Sequence, residues 1–144
     1  MPDEHLHPRA LLRLPTFALG KLHKAVHAEV GASLRDHWVL VCLEEFGELS
    51  QQQVSTTLGI DRSEMVRLVD GLERDGLVVR VRDTEDRRKY RLTVTRAGKK
   101  QSALTNARIA EATDRVLGRL DEQERRTLHR LALKAIGEEP DAAD

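Results

Sequence analysis

The sequence contains few aromatic residues: only four among its 144 residues, Phe17, Trp38, Phe46 and Tyr90. Proteins that bind single-stranded nucleic acid by base stacking present several neighbouring rings, so the composition argues against that class. A core with so few rings must be built mainly from Leu, Val, Ile and Ala, which suits helix packing better than a β-sandwich. We therefore expect a mainly α-helical protein.

Cysteine and long apolar runs are scarce as well. Cys42 is the single cysteine and cannot form an internal disulfide. It lies in an apolar segment, which predicts a small buried side chain, whereas an oxidation sensor would need an exposed thiolate of low pKa. No apolar run approaches the roughly 20 residues of a membrane span, and the N-terminus lacks the basic-then-apolar order of a signal peptide. We expect a soluble, cytoplasmic protein.

The formal net charge is zero, with 24 basic and 24 acidic side chains, but the charges are unevenly placed. Residues 1–60 carry 5 basic and 7 acidic side chains, residues 61–108 carry 13 and 8, and residues 109–144 carry 6 and 9. The middle segment is therefore net +5. Because charges separated by more than about 10 Å are largely screened at cellular salt, this segment can attract a polyanion although the whole chain is neutral.

Helical periodicity is clear in two N-terminal segments. Apolar residues recur at three- and four-residue steps from Pro15 to Val30, and Gly31 ends the helix. A second helix begins at the cap Ser33 and ends at Gly47. This second helix is densely apolar, so we expect it to be almost completely buried.

Two further caps follow in close succession. The segment Ser50–Gln53 has the pattern of a capping box and predicts a short helix that ends at Gly59. Asp61–Glu64 predicts a second cap of the same form, opening a helix that buries Met65 and the apolar residues one and two turns later. The opposite face of this helix is polar and carries Ser63, Arg67, Asp70 and Arg74.

The segment after Gly76 is typical of a β-hairpin. Residues 77–82 are rich in β-branched side chains and residues 90–95 alternate between apolar and polar. The polar turn between them ends in Arg87, Arg88 and Lys89, and we expect Asp86 to form an ion pair with one of these arginines. The prediction is a two-stranded hairpin with a charged tip.

The helical period returns at residues 96–137, with a capping box at Asp121–Glu124. Together with residues 8–32, these helices have more apolar length than a small winged domain needs, which favours a dimerisation surface; packing on the same chain is the alternative. Residues 138–144 are predicted to form an acidic, frayed tail. We assign residues 1–144 to a single domain in which residues 33–95 form the winged part.

Two capped helices followed by a basic hairpin predict a winged helix-turn-helix. The first turns of the second helix then face the base edges of duplex DNA, with a phosphate contact further back, and the hairpin tip enters the minor groove. The glutamines before this helix support contacts to the DNA backbone. The predicted DNA-binding residues are Gln51, Gln52, Gln53, Arg62, Ser63, Arg67, Arg74, Arg87, Arg88 and Lys89.

Several runs in this region resemble the multiple antibiotic resistance regulator (MarR) family: DRSEMVRLVDGLERDGLVVR at 61–80, DTEDRR at 83–88, LT at 92–93 and TRAG at 95–98. The resemblance is close over residues 50–98 and looser in the flanking helices. It implies a homodimer with interlocked terminal helices that binds a palindromic operator, usually as a repressor. It also implies release by a small aromatic or phenolic acid, although some members respond instead to metals or to cysteine oxidation.

For an aromatic acid, the sequence offers one cationic and several ring side chains near the expected junction of the dimerisation and winged parts. The predicted ligand-binding residues are Arg13, Phe17, His23, His37 and Trp38. In the alternative interpretation, Trp38 is a core residue while Arg13 and His37 lie on the surface or pair within the dimer.

The sequence gives little support for metal binding or for catalysis. His23 and His27 have a chelating spacing, but Lys24 stands where a zinc protease has its glutamate base and no third ligand is evident. We find no nucleophile elbow, phosphate loop or acid pair, and we predict no enzyme activity, no metal and no cofactor. The remaining alternative is a winged protein-interaction module that binds no DNA; such a module would not need exposed arginines on both the helix and the hairpin.

Overall fold

The computed structural model describes residues 8–31 and 33–141 and is mainly helical, with a small antiparallel sheet. This architecture confirms the predicted fold class. Its elements in chain order are α1 (Arg9–Leu12), α2 (Pro15–Val30), α3 (Leu34–Phe46), β1 (Leu49–Ser50), α4 (Gln51–Leu58), α5 (Arg62–Arg74), β2 (Val78–Arg82), β3 (Tyr90–Val94), α6 (Arg96–Val116) and α7 (Glu122–Ile136).

The helix ends follow local sequence signals. At the start of α4, the Ser50 hydroxyl accepts a hydrogen bond from the Gln53 N–H, and the Gln53 side-chain oxygen accepts one from the Ser50 N–H. Asp121 and Glu124 form the same reciprocal box at the start of α7. Gly59 ends α4 in the left-handed region at φ 64°, where an L side chain is strained. These caps confirm the predicted starts of both helices.

The sheet has three strands in the order β1-β3-β2. The pairing of β2 with β3 places Val78 opposite Val94 and Arg82 opposite Tyr90, as a hairpin requires. The two-residue strand β1 adds Leu49 opposite Leu92 on the other edge of β3. The predicted hairpin is thus present, and β1 enlarges it into a sheet that also anchors the start of α4.

The chain divides into two compact units, and the first comprises residues 27–109. Its core is formed by apolar side chains of α3, α4, α5, the turn between α4 and α5, and the sheet, each at most 5% exposed: Val39, Leu40, Cys42, Leu43, Val54, Ile60, Met65, Val69, Leu72, Val78 and Leu92. Burying a side chain of this size contributes about 1.5–3 kcal/mol. This packing holds α5 rigidly on one side.

The prediction that α3 is almost completely buried is wrong on one side of the helix. Val39 and Leu43 lie in the core, but Trp38 is 37% exposed and Phe46 is 59% exposed. The helix α3 carries apolar side chains on all of its faces, but the core of this unit covers only one of these faces. The exposed rings become part of a surface cavity, described below.

The second unit comprises residues 1–26 and 110–144. Neither α1 nor α7 has a buried residue, although both carry large apolar side chains. Gly137 ends α7, residues 138–141 continue without helix or strand, and residues 142–144 of the predicted tail lie outside the described residues. None of the helices formed by residues 8–31 and 33–141 has both the length and the hydropathy that a membrane span requires.

Candidate nucleic-acid interface

The helix α5 presents a polar face from a firmly packed base. Met65 and Val69 are fully buried and Leu72 is 3% exposed, and the helix packs against α3, α4 and β2. The opposite face is exposed, as predicted, and carries Arg62, Ser63, Val66, Arg67, Asp70, Glu73 and Arg74. A helix held in this way can offer its outer side chains to the major groove without losing its own packing.

Asp61 organises the first turn of α5. Its carboxylate accepts the N–H groups of Ser63 at 2.9 Å and Glu64 at 3.0 Å, and the Ser63 hydroxyl at 2.6 Å. The hydrogen bond from the Ser63 hydroxyl, followed by the backbone N–H of Glu64, holds the pKa of Asp61 below its ordinary value. Asp61 therefore stays ionised and fixes Ser63 in the turn predicted to face the bases.

The predicted reciprocal cap at this turn is only half formed. Instead of returning to the N–H of Asp61, the Glu64 carboxylate pairs with the Arg35 guanidinium of α3. The two residues are 29 positions apart, so the local pattern carries no trace of this partner. The pair ties the start of α5 to α3.

Arg80, which was not predicted as a site residue, binds two carboxylates of α5. Its guanidinium donates to Asp70 at 2.7 Å and to Glu73 at 2.8 Å. The hydrogen bond to Asp70 is the main cause that raises the pKa of Arg80 above its ordinary value. Strand alternation places Arg80 on the same face of β2 as the buried Val78, and this was the available signal. These two ion pairs neutralise Asp70 and Glu73 on the exposed face of α5, which also carries Arg62, Arg67 and Arg74.

The three predicted glutamines are placed differently from one another. The side-chain oxygen of Gln53 is used by the cap of α4. Gln51 and Gln52 line a small groove of about 150 Å³ that Arg62 also lines. Of the three, Gln51 and Gln52 are thus brought together with a predicted DNA-binding arginine.

The hairpin between β2 and β3, here called the wing, is ordered by its acidic residues. Asp83 accepts the N–H groups of Glu85 and Asp86 and forms an ion pair with Arg91 at 3.0 Å. Asp86, expected to pair with a tip arginine, instead accepts the backbone N–H of Arg88 at 3.1 Å. The acidic residues stabilise the turn and leave the tip guanidinium groups outward.

Arg82 reinforces the wing from its base. Its guanidinium donates to the carbonyl of Arg87 at 2.8 Å and lies 5.2 Å from the centre of the Tyr90 ring. Arg82 and Tyr90 were not predicted as site residues; their opposed positions in the hairpin register were the available signal. Arg82, which stacks on Tyr90, thus holds the backbone carbonyl of Arg87 at the tip of the wing.

The arginines of the unit 27–109 differ in whether a carboxylate holds them. Arg35, Arg80 and Arg91 are paired with carboxylates. Five guanidinium groups predicted to meet DNA form no ion pair with any described residue, and all five side chains are exposed: those of Arg62, Arg67, Arg74, Arg87 and Arg88. These cations are available to an external polyanion.

A cavity of about 340 Å³ opens beside α3 and is lined by His37, Trp38 and Phe46, among others. His37 is 5% exposed; its Nε2 lies 2.8 Å from Asn106 Oδ1, and its Nδ1 has no hydrogen-bond partner among the described residues. Cys42 also lines the cavity, and burial is the main cause that raises the pKa of its thiol. A neutral, buried thiol fits the predicted packing role.

The other predicted ligand residues lie in the unit formed by residues 1–26 and 110–144. Arg13 is exposed after α1, and Phe17 on α2 has the Lys21 ammonium 5.6 Å from its ring centre. His23 is exposed one turn before His27 on the same helix, and the described residues contain no group of three or more side chains arranged to hold a metal. A site joining Arg13, Phe17 and His23 to the His37 cavity stays a prediction.

Known proteins that resemble this chain include several transcription regulators. The model of the MarR family matches residues 31–89, which span α3 to the wing tip. A protein of Thauera aromatica, named as a transcriptional regulatory protein for the hcr operon, is 35% identical over 80 residues, or 56% of this chain. The chain spans 48% of that protein's length and 64% of a second curated relative.

Two solved structures resemble the chain over most of its length. The repressor CouR bound to a 23-mer DNA duplex superposes with a TM-score of 0.78 at 28% identity, covering 91% of this chain and 98% of that one. The regulator PcaV of Streptomyces coelicolor, in complex with its natural ligand, gives a TM-score of 0.76 at 26% identity, covering 96% and 100%. The family consists of transcription regulators rather than enzymes, which agrees with the predicted lack of enzyme activity.

Proposed function

We propose that this chain is a member of the MarR family of transcription regulators, whose model matches residues 31–89, and that it acts in the cytoplasm as a homodimeric repressor. It binds a palindromic operator in duplex DNA and is released when a small aromatic or phenolic acid binds. One observation carries the DNA-binding part of the proposal. The arginines on the outer face of α5 and at the wing tip form no ion pair within the described part of the chain, while Arg80 and Arg91 of the sheet are held by carboxylates. The DNA complex of CouR supports the same conclusion.

A second copy of the chain is the proposed partner of the unit formed by residues 1–26 and 110–144. In this unit Leu12 is 47% exposed, Leu131 49% and Ile136 74%. An apolar cavity of about 590 Å³, lined by Leu19, Leu128 and others, lies within the same unit. Covering such side chains removes apolar area from water and favours association. Two winged units related by a two-fold axis match the symmetry of a palindrome.

The proposed effector site is the cavity beside α3. It offers the rings of Trp38 and Phe46 to an apolar body, and it is also lined by His37, whose buried Nδ1 has no hydrogen-bond partner among the described residues. Arg13 is the proposed partner of the carboxylate. The ligand complex of PcaV supports a small-molecule response in a related structure.

The salt dependence of DNA binding tests the role of the wing. Replacing both Arg87 and Arg88 with alanine should weaken binding to duplex DNA and lower the slope of log K against log salt by about 1 for each phosphate that is no longer neutralised. Affinities measured at several salt concentrations give the slope. The variant Arg119→Ala with Arg130→Ala removes the same charge outside the winged unit, at exposed side chains that do not line the proposed dimerisation cavity, and should leave the slope unchanged. An unaltered slope in the wing variant would exclude the wing from the interface. No binding of the wild type to duplex DNA at any salt concentration would favour a protein-interaction module.

The effector proposal is tested with benzoate, salicylate and 4-hydroxybenzoate. At least one of these acids should raise the thermal midpoint of the protein and release it from DNA, because binding to the folded state alone stabilises that state. Arg13→Ala should abolish both responses, whereas Lys24→Ala, which removes an exposed cation of α2, should preserve them. The same response in both variants would remove Arg13 from the site, and no shift with any acid would contradict an aromatic acid effector.

A further inference from the structure

The exposed face of α5 contains one apolar residue, Val66. Every residue of α5 is described, and the other exposed side chains are arginine, serine, aspartate or glutamate. Val66 is 40% exposed, whereas its neighbour Met65 is fully buried. It lies one turn after Arg62 and directly before Arg67, in the half of the helix predicted to face base edges.

Packing within the unit accounts for only part of this valine, because 40% of it stays exposed. A β-branched side chain is a weaker helix former than lysine, glutamine or glutamate, and its exposed apolar surface gains nothing in water. The core-facing positions of α5 are already filled by Met65, Val69 and Leu72. Val66 therefore presents an apolar group from within a set of cations.

The major groove of duplex DNA offers a matching group. Among the base edges exposed there, thymine alone carries a methyl group, at C5, and small apolar side chains contact it. The neighbouring cations Arg62 and Arg67 place positive charge beside Val66, and this charge favours a position in the negative field of the groove. An apolar contact flanked by cations fits the floor of this groove better than it fits an acidic or apolar protein partner.

We infer that Val66 is a specificity-determining residue that packs against the C5-methyl group of a thymine in the operator. The inference rests on the proposed DNA-binding function and deepens it. Arg62 and Arg67 hold the helix against the duplex, and Val66 selects thymine at one position of each half-site. Deleting either the valine side chain or the thymine methyl group abolishes the same contact.

The experiment uses full-length protein and begins with selection of bound duplexes from a randomised library. Each thymine of the selected duplex is then replaced in turn by deoxyuridine, which keeps the base pair and deletes only the methyl group. At one position in each half-site, this replacement should weaken wild-type binding about fourfold, as expected for one buried methyl group. Val66→Ala should bind the thymine and deoxyuridine duplexes equally, at about the affinity of the wild type for the deoxyuridine duplex.

Val79→Ala is the matched control, because Val79 is also 40% exposed but lies on β2, on the strand face opposite Arg80. It should keep the full preference for thymine. Both valines are exposed, so equal thermal midpoints will confirm that each variant is folded. If deoxyuridine has no effect at any position, or if Val66→Ala keeps the wild-type preference, the inference is overturned while the proposed function stands. If no duplex is enriched, both are overturned.

Discussion

Replacing Gly98 with alanine should destabilise the winged unit by about 3 kcal/mol or more, the largest effect expected from any single methyl group in this chain. A Cβ at this position would lie 2.2 Å from the carbonyl oxygen of Leu77 and 2.7 Å from Cγ2 of Val94. The first of these atoms belongs to the backbone, so a side-chain rotation cannot relieve the clash. The midpoint of urea unfolding, measured at one fixed protein concentration, should fall sharply.

Gly71→Ala is the control for this prediction. Gly71 lies inside α5, and a Cβ there would meet no atom within 4 Å. Alanine costs less backbone entropy in a helix than glycine, so this variant should be stabilised by up to about 1 kcal/mol. The same substitution should therefore lower the free energy of unfolding at Gly98 and raise it at Gly71. Similar small effects at both would show that α6 does not approach the Leu77 carbonyl as closely as described.

The close approach at Gly98 gives a physical reason for the run TRAG at residues 95–98. The Thr95 hydroxyl donates to the carbonyl of Gly76 at 2.7 Å and accepts the N–H of Gly98 at 3.0 Å. The Thr95 N–H donates to the Leu77 carbonyl at 3.0 Å. These bonds join the end of α5 to the start of α6, and only glycine fits against them. The run is therefore needed to place α5, independently of any contact with DNA.

Much of the fold was predictable because its signals are local. The capping box at Ser50 and Gln53 and the final glycine Gly59 lie within ten consecutive residues. The sequence pattern and the hydrogen bonds of α4 therefore depend on the same few residues. The alternation of residues 90–95 likewise predicted a strand that the structure contains as β3. These elements follow from propensity and capping before any tertiary contact is considered.

The contacts that the sequence did not predict join distant residues. Arg35 and Glu64 are 29 positions apart, and β1 pairs with a strand more than 40 residues later. A charged residue has many possible partners in sequence, and only the packing of helices selects one. For the same reason the apolar run of α3 did not reveal which face, with Trp38 and Phe46, stays uncovered. Burial of a face depends on what the rest of the chain brings to it.

Arg67→Ala should cause the largest decrease in sequence-specific DNA binding, about 1–3 kcal/mol for the selected operator and much less for a scrambled duplex of the same composition. Arg67 lies on the exposed face of α5 and forms no ion pair with any described residue, unlike Arg80, whose guanidinium is held by Asp70 and Glu73. It is therefore free to form two hydrogen bonds to the edge of a guanine. Dissociation constants for both duplexes at one salt concentration provide the measurement.

Arg74→Ala supplies the comparison that distinguishes a base contact from a phosphate contact. Arg74 lies on the same face of α5 as Arg67, two turns and about 10 Å further along the helix axis, where the helix leaves the floor of the groove. This substitution should weaken binding to both duplexes equally and lower the salt slope by about 1. If Arg67→Ala behaves in the same way, Arg67 contacts phosphate, and specificity at this helix must come from Arg62, Ser63 or Val66.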